Sequence, residues 1–297
     1  MKPYFGRLLT AMVTPFNNGG ADCQAAADLA AWLLDHGSDG LVVLGSTGEA
    51  ATMTLAEKKA VLKAVKERVG DRCKLVAGAG TNDTAATVAL VREIGSCGVD
   101  GLLVVGPYYN KPTQEGYYQH FAAVARATEL PIIVYNVPGR TGSNIAPATV
   151  ARLARDFKNI VAVKEAAGNV MRTAELYRLL PGDFTIYSGD DGLVLPFFSV
   201  GASGLISVLS NIGGELLQSV MQAYTEGRVA EAAELNAKLV PLAQSMFIES
   251  NPIPVKYAVS KVTGIPAGDP RLPLTPLSEQ GRTAVDKVLK EYGLINA

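Results

Sequence analysis

The sequence predicts an α/β fold: a (β/α)8 TIM barrel over residues 1–226, followed by a C-terminal helical domain over residues 227–297. Three observations predict it. Short β-branched runs alternate with longer Ala/Leu-rich segments, and the runs begin roughly every 20 to 35 residues. Many of them are apolar throughout, such as Leu41-Val42-Val43-Leu44 and Leu102-Leu103-Val104-Val105, as expected of parallel strands covered on both faces. No Gly-x-Gly-x-x-Gly fingerprint is present, which counts against the rival, a doubly wound nucleotide-binding sheet.

In chain order the strand candidates are Leu8–Phe16, Gly40–Gly45, Lys74–Gly80, Gly101–Pro107, Pro131–Pro138, Ile160–Ala166, Phe184–Gly189 and Gly204–Ser210. Each gap holds one helix. Ala56–Val69 shows the expected spacing, with Val61, Leu62, Val65 and Val69 on one face and Glu57, Lys58, Lys63 and Lys66 largely off it. Beyond about residue 226 the strand signals stop. Val229–Met246, Pro252–Val262 and Leu277–Tyr292 read as helices, and Pro266, Pro270, Pro273 and Pro276 mark an extended connection between the last two.

Composition narrows the function. Twenty-seven Lys+Arg against 28 Asp+Glu leave a formal net charge of −1, with no basic excess to neutralise a phosphate backbone; no nucleic-acid partner is expected. The longest uncharged stretch, Gly192 to Gly214, is interrupted by Pro196, Gly201, Gly204 and serines, so no membrane partner is expected. Met1-Lys2-Pro3-Tyr4-Phe5 lacks the apolar core of a signal peptide. Cys23, Cys73 and Cys97 are odd in number and lack metal-ligand spacing, which suggests a reducing compartment without disulfides or zinc. A cytoplasmic location is the expectation.

Barrel chemistry sits at the C-terminal strand ends and in the loops that follow. Lys164 is the most informative residue there. By period two it shares a face with Ala162; with Val161 and Val163 packed outward, Lys164 points into the barrel above a small side chain. A buried ammonium is either paired, for instance with Glu165, or it loses its proton and becomes a nucleophile for a carbonyl. At an ordinary pKa of ~10.4 only about one lysine in a thousand is neutral near neutral pH, and correcting that takes about 4 kcal/mol of desolvation and charge effects. Tyr135, on the neighbouring strand, is either an amphipathic core-edge residue or a proton shuttle. Ser46 and Thr47 in their Gly-flanked turn are helix-capping hydroxyls or carboxylate binders, and Arg140 is a surface residue or a carboxylate fork. Asp190-Asp191 reads as a helix N-cap rather than a cation site. His36 and His120 both fall in helical segments, so histidine-based metal or triad catalysis has little support.

Taken in order, Gly45-Ser46-Thr47-Gly48-Glu49, Pro107-Tyr108-Tyr109-Asn110-Lys111-Pro112, Tyr135-Asn136-Val137-Pro138-Gly139-Arg140-Thr141-Gly142, Val163-Lys164-Glu165, Ser188-Gly189-Asp190-Asp191 and Asn251-Pro252-Ile253-Pro254-Val255-Lys256 make the chain resemble the pyruvate-dependent class I aldolase family over nearly its whole length. Within that family it is similar to the branch that condenses pyruvate with L-aspartate 4-semialdehyde in lysine and diaminopimelate biosynthesis. The resemblance implies that Lys164 forms a Schiff base with pyruvate and that Tyr135 gives and takes protons beside it. Ser46 and Tyr109 would complete a hydroxyl relay. Thr47, the backbone of Ile206 and Gly189 would hold substrate, and Arg140 would bind the carboxylate of the second substrate. It implies no metal and no cofactor beyond the covalent pyruvate. The implied assembly is a homotetramer, a dimer of dimers in which Tyr109 enters the neighbouring subunit's site.

There are departures. Ser46 stands where most members have a second threonine, and the Gly-Ser-Thr-Gly-Glu form is also similar to N-acetylneuraminate lyases, the alternative along with other 2-keto-acid aldolases. A non-catalytic metabolite-binding barrel is a further alternative, disfavoured by the Lys164/Tyr135 pair. In feedback-inhibited members two histidines, a glutamate, an asparagine and a tyrosine surround lysine. By that mapping this chain keeps Asn82 and Tyr108 but has Leu55 and Lys58 for the histidines and Ala86 for the glutamate, so insensitivity to lysine is expected.

Overall fold

A computed structural model describes residues 3–296; Met1, Lys2 and Ala297, at the ends of the expected spans, lie outside the described residues. Eight parallel strands close on themselves. In chain order they are β1 (Leu8–Ala11), β2 (Gly40–Val43), β3 (Lys74–Gly78), β4 (Gly101–Val105), β5 (Ile132–Asn136), β6 (Ile160–Glu165), β7 (Thr185–Ser188) and β8 (Gly204–Ser207). Each pairs with its sequence neighbours, and β1 pairs with β8 to seal the barrel. All eight expected strands are present, each shorter than its apolar run, because the chain leaves the ladder at the mouth to form the loops that carry the polar residues.

The main helices are α1 (Cys23–Asp35), α2 (Leu55–Val69), α3 (Thr84–Gly95), α4 (Gln114–Arg126), α5 (Pro147–Asp156), α6 (Val170–Leu179), α7 (Val194–Ser199) and α8 (Ser210–Thr225), one after each strand, with a single helical turn, Pro138–Thr141, ahead of α5. Their starts follow local chemistry. Asp22, Asp83 and Thr113 accept from backbone N–H groups of the first turns of α1, α3 and α4, and Thr54 with Glu57 forms a reciprocal capping box on α2. The buried face of α2 is the expected Val61, Leu62, Val65 and Val69.

Two apolar layers result. The larger lies between strands and helices and includes Leu41, Val43, Val104 and Val163; the smaller fills the barrel and includes Leu9, Val42, Leu103, Ile133, Ala162, Tyr187 and Ile206. This split of alternate strand residues explains why the strands read as continuously apolar. One expected detail differs. Val163 packs outward as expected, but Val161 packs against the interior layer, because a β-bulge opposite Ile132 and Ile133 inserts a residue between Ile160 and Ala162. Lys164 still shares the inner face with Ala162.

After the barrel come α9 (Val229–Ser245), α10 (Ile253–Thr263) and α11 (Glu279–Glu291). The helix α9 packs on α7 and α8, α10 on α8, and α11 on α9 and α10, which brings the α9–α10 connection over the barrel mouth. No helix among the described residues is long and apolar enough to cross a membrane.

Candidate active site

A cavity of about 670 Å3 opens at the C-terminal ends of the strands. Lys164 and Tyr135 form its floor, the Ser46–Thr47 turn and Arg140 line its sides, and Gln244 and Phe247 from the end of α9 and just beyond it roof it. In the β5–β6 register Tyr135 faces Lys164, and the lysine Nζ stands 4.4 Å from the centre of the phenol ring. Both side chains are buried, 7% and 6% exposed. Gly189 makes room beside them: a Cβ there would stand 3.0 Å from Lys164 Cε and 2.6 Å from the Ala166 Cβ.

Glu165 is not the partner of Lys164. Its carboxylate faces the other way, accepting from Asn136 Nδ2 at 3.0 Å on both oxygens, from the Ala167 N–H at 2.8 Å and from Arg172 at 3.3 Å. Lys164 makes no ion pair among the described residues. Burial lowers its pKa to about 8; the charge of Asp191 opposes the shift and that of Arg140 adds to it. At physiological pH roughly one lysine in five is then neutral, against one in a thousand in water. Burial pushes Tyr135 up to about 12, so its phenol keeps its proton.

Asp191 is 3% exposed, and its Oδ2 accepts from the Val208 and Leu209 N–H groups at 3.1 and 3.0 Å just after β8. It therefore does not cap α7. Of the two acids only Asp190 acts near that helix start, accepting from the Leu193 N–H at 3.3 Å. The charge of Asp191 on Lys164 had no signal in the sequence, since it depends on the closing of β7 against β8.

The Thr47 hydroxyl accepts from Asn251 Nδ2 at 3.0 Å, and the Arg140 guanidinium donates to the Asn251 carbonyl at 3.1 Å. Glu49, in the same turn, is held by a buried ion pair with Lys256 at 2.8 Å and by the Arg271 N–H at 2.9 Å. Asn251 and Lys256 belong to a motif visible in the sequence, but their contacts with Thr47 and Glu49 span more than 200 residues.

Of the expected site residues, Lys164, Tyr135, Ser46, Thr47, Arg140 and Gly189 converge on the cavity. Two do not line it. Ile206 lies in the barrel interior, with Val208 of the same segment on the wall instead. Tyr109 is 88% exposed with a left-handed φ of 73°, pointing out from this chain. His120 is buried within α4 and His36 caps the end of α1, both away from the cavity. No cluster of potential metal ligands occurs among the described residues.

Known proteins resemble this chain over nearly its whole length. Residues 4–292 match the model of the dihydrodipicolinate synthetase family. The 4-hydroxy-tetrahydrodipicolinate synthase of Moorella thermoacetica is 52% identical over 292 residues, covering 98% of this chain and 99% of the relative. That of Heliobacterium modesticaldum is 53% identical over 291 residues, covering 98% and 96%. Among solved structures, the lysine-bound enzyme of Cyanidioschyzon merolae superposes with a TM-score of 0.96 at 40% identity, covering 99% of this chain and all (100%) of the other. The pyruvate complex from Acinetobacter baumannii gives 0.93 at 41% identity, covering 97% and 99%.

Proposed function

The chain belongs to the dihydrodipicolinate synthetase family, and from that premise we propose how its site performs the family's reaction. The activity is that of a 4-hydroxy-tetrahydrodipicolinate synthase, a lyase of lysine and diaminopimelate biosynthesis that condenses pyruvate with L-aspartate 4-semialdehyde. The observation that carries the residue assignment is the in-register pair of Tyr135 with an unpaired, buried Lys164.

The neutral Lys164 amine attacks the pyruvate carbonyl and water leaves, forming a protonated imine. That cation draws electrons from the pyruvate methyl group, which loses a proton to become an enamine. The enamine carbon attacks the aldehyde of the second substrate. The amine of that substrate then adds to the imine carbon and displaces Lys164, which closes the ring and frees the enzyme. Tyr135, with its pKa raised to about 12, carries protons as a neutral phenol at each step. The Thr47 hydroxyl holds the pyruvate carboxylate, Gly189 leaves room for the adduct, and Arg140 binds the carboxylate of the aldehyde. Ser46 passes protons from Tyr135 toward bulk, completed by Tyr109 of a neighbouring copy; the exposure of Tyr109 here supports that arrangement.

The electron sink is the imine, so the reaction as written needs no metal and no cofactor beyond covalent pyruvate. The catalytic barrel extends to residue 226, and the helical domain that roofs it begins at residue 227. The working assembly is a cytoplasmic homotetramer of two dimers. Turnover with pyruvate and aspartate semialdehyde, compared with N-acetylmannosamine as acceptor, tests the assignment: the aldehyde of aspartate is expected to be condensed and the sugar left unused. A preference for the sugar would make the chain an N-acetylneuraminate lyase.

A further inference from the structure

One residue outside the barrel touches both groups that would hold the two substrates. Asn251, in the α9–α10 connection, is 6% exposed. Its side-chain Nδ2 donates to Thr47 Oγ1 at 3.0 Å, and its main-chain carbonyl accepts from Arg140 at 3.1 Å. Its Oδ1 is buried and has no partner among the described residues, so the amide is not held there by a bond of its own oxygen. The turn it touches is rigid. Glu49 is locked by Lys256 and the Arg271 N–H, and the carbonyl of Gly48 accepts from Thr14 at 2.7 Å.

A threonine hydroxyl has one proton to give and two lone pairs. With an amide N–H of Asn251 occupying one lone pair, the proton cannot turn toward Asn251. It is left to point into the cavity, where Thr47 makes no other hydrogen bond among the described residues. A carboxylate arriving there meets a donor with fewer directions open to it, and a charged acceptor makes such a bond strong. We infer that Asn251 is a positioning residue that sets the direction of the Thr47 hydroxyl, making that hydroxyl a fixed donor to the pyruvate carboxylate. This rests on the reading that Thr47 holds pyruvate. The helical domain thereby takes part in substrate binding without touching the reacting atoms.

The test separates side chain from main chain. Asn251→Leu keeps the branched shape and the carbonyl that Arg140 uses, and removes only the amide. The pyruvate concentration that half-saturates borohydride trapping is expected to rise roughly five- to tenfold. The KM for aspartate semialdehyde should stay within about twofold. Thr47→Val should raise the same pyruvate concentration, and Asn251→Leu added to Thr47→Val should change it little further, since the hydroxyl it aims is gone. Unchanged pyruvate saturation in Asn251→Leu, equal losses for both substrates, or full additivity in the double variant would overturn the inference. Unchanged saturation in Thr47→Val would instead overturn the reading of Thr47 itself. Where a melting curve shows that Asn251→Leu does not fold, Asn251→Asp takes its place. It replaces the donor by an acceptor that would draw the Thr47 proton away, so a larger rise is expected, and unchanged saturation would overturn the inference equally.

Discussion

Tyr135 and Lys164 stand opposite each other on adjacent parallel strands, with the lysine nitrogen 4.4 Å from the centre of the phenol ring and both side chains buried. Burial has opposite consequences for the two. It disfavours the charged form of each, so the amine moves toward its reactive neutral state while the phenol stays protonated. On the proposed roles, the same dry environment prepares both a nucleophile and a proton carrier.

Tyr135→Phe removes the oxygen and keeps the ring that covers Lys164. The expected result is a fall in kcat of ~100-fold or more with the fold intact, measured by steady-state turnover. Activity within a few-fold of the parent would move the proton carrier elsewhere.

The pKa of Lys164 makes a pH prediction. Only the neutral amine attacks, so the rate of imine formation should rise about tenfold per pH unit below the pKa and level off above about 8. Rapid trapping between pH 6 and 9.5 measures it. A rate still climbing steeply at the upper end would mean that the lysine titrates as it does in water.

Arg140 is exposed at the cavity rim, and among the described residues its guanidinium is held only by the Asn251 carbonyl. Arg140→Ala is expected to raise KM for aspartate semialdehyde by roughly tenfold or more while the pyruvate KM moves little. Equal effects on both substrates would make the arginine architectural.

Lysine should not inhibit this enzyme at physiological concentrations. Leu55 and Lys58 lie in the first turn of α2 and Ala86 in the first turn of α3, where the resemblance places two histidines and a glutamate. Leu55 and Tyr108 are both exposed; none of Leu55, Lys58 and Ala86 offers a carboxylate to an incoming ammonium, and Lys58 adds a like charge. A lysine titration of initial rate decides it. Half-inhibition below about 1 mM would contradict the expectation.

The barrel was legible because both faces of its strands are buried, so apolar runs at regular spacing announce it. The inward direction of Lys164 was legible for a related reason: its alternation with Ala162 survives the bulge at Val161, which lies upstream of both. The bulge itself was not legible, since it reflects the fit of β6 against β5 and not any residue preference along β6. The pairing of Glu165 with Arg172 was equally hidden, because a carboxylate next to a lysine in sequence points to the opposite face of the strand. The motif Asn251–Lys256 could be seen but not interpreted. Its partners, Thr47 and Glu49, come into reach only when the last helices fold back over the mouth.

The central claim, that Lys164 is the nucleophile, is tested most directly by adding borohydride with pyruvate and mapping the product by mass spectrometry. One pyruvate-derived adduct per chain at Lys164 is expected, and Lys164→Ala should remain folded, take up no adduct and lose nearly all turnover. An adduct on Lys111 or Lys256, or none at all, would contradict the account.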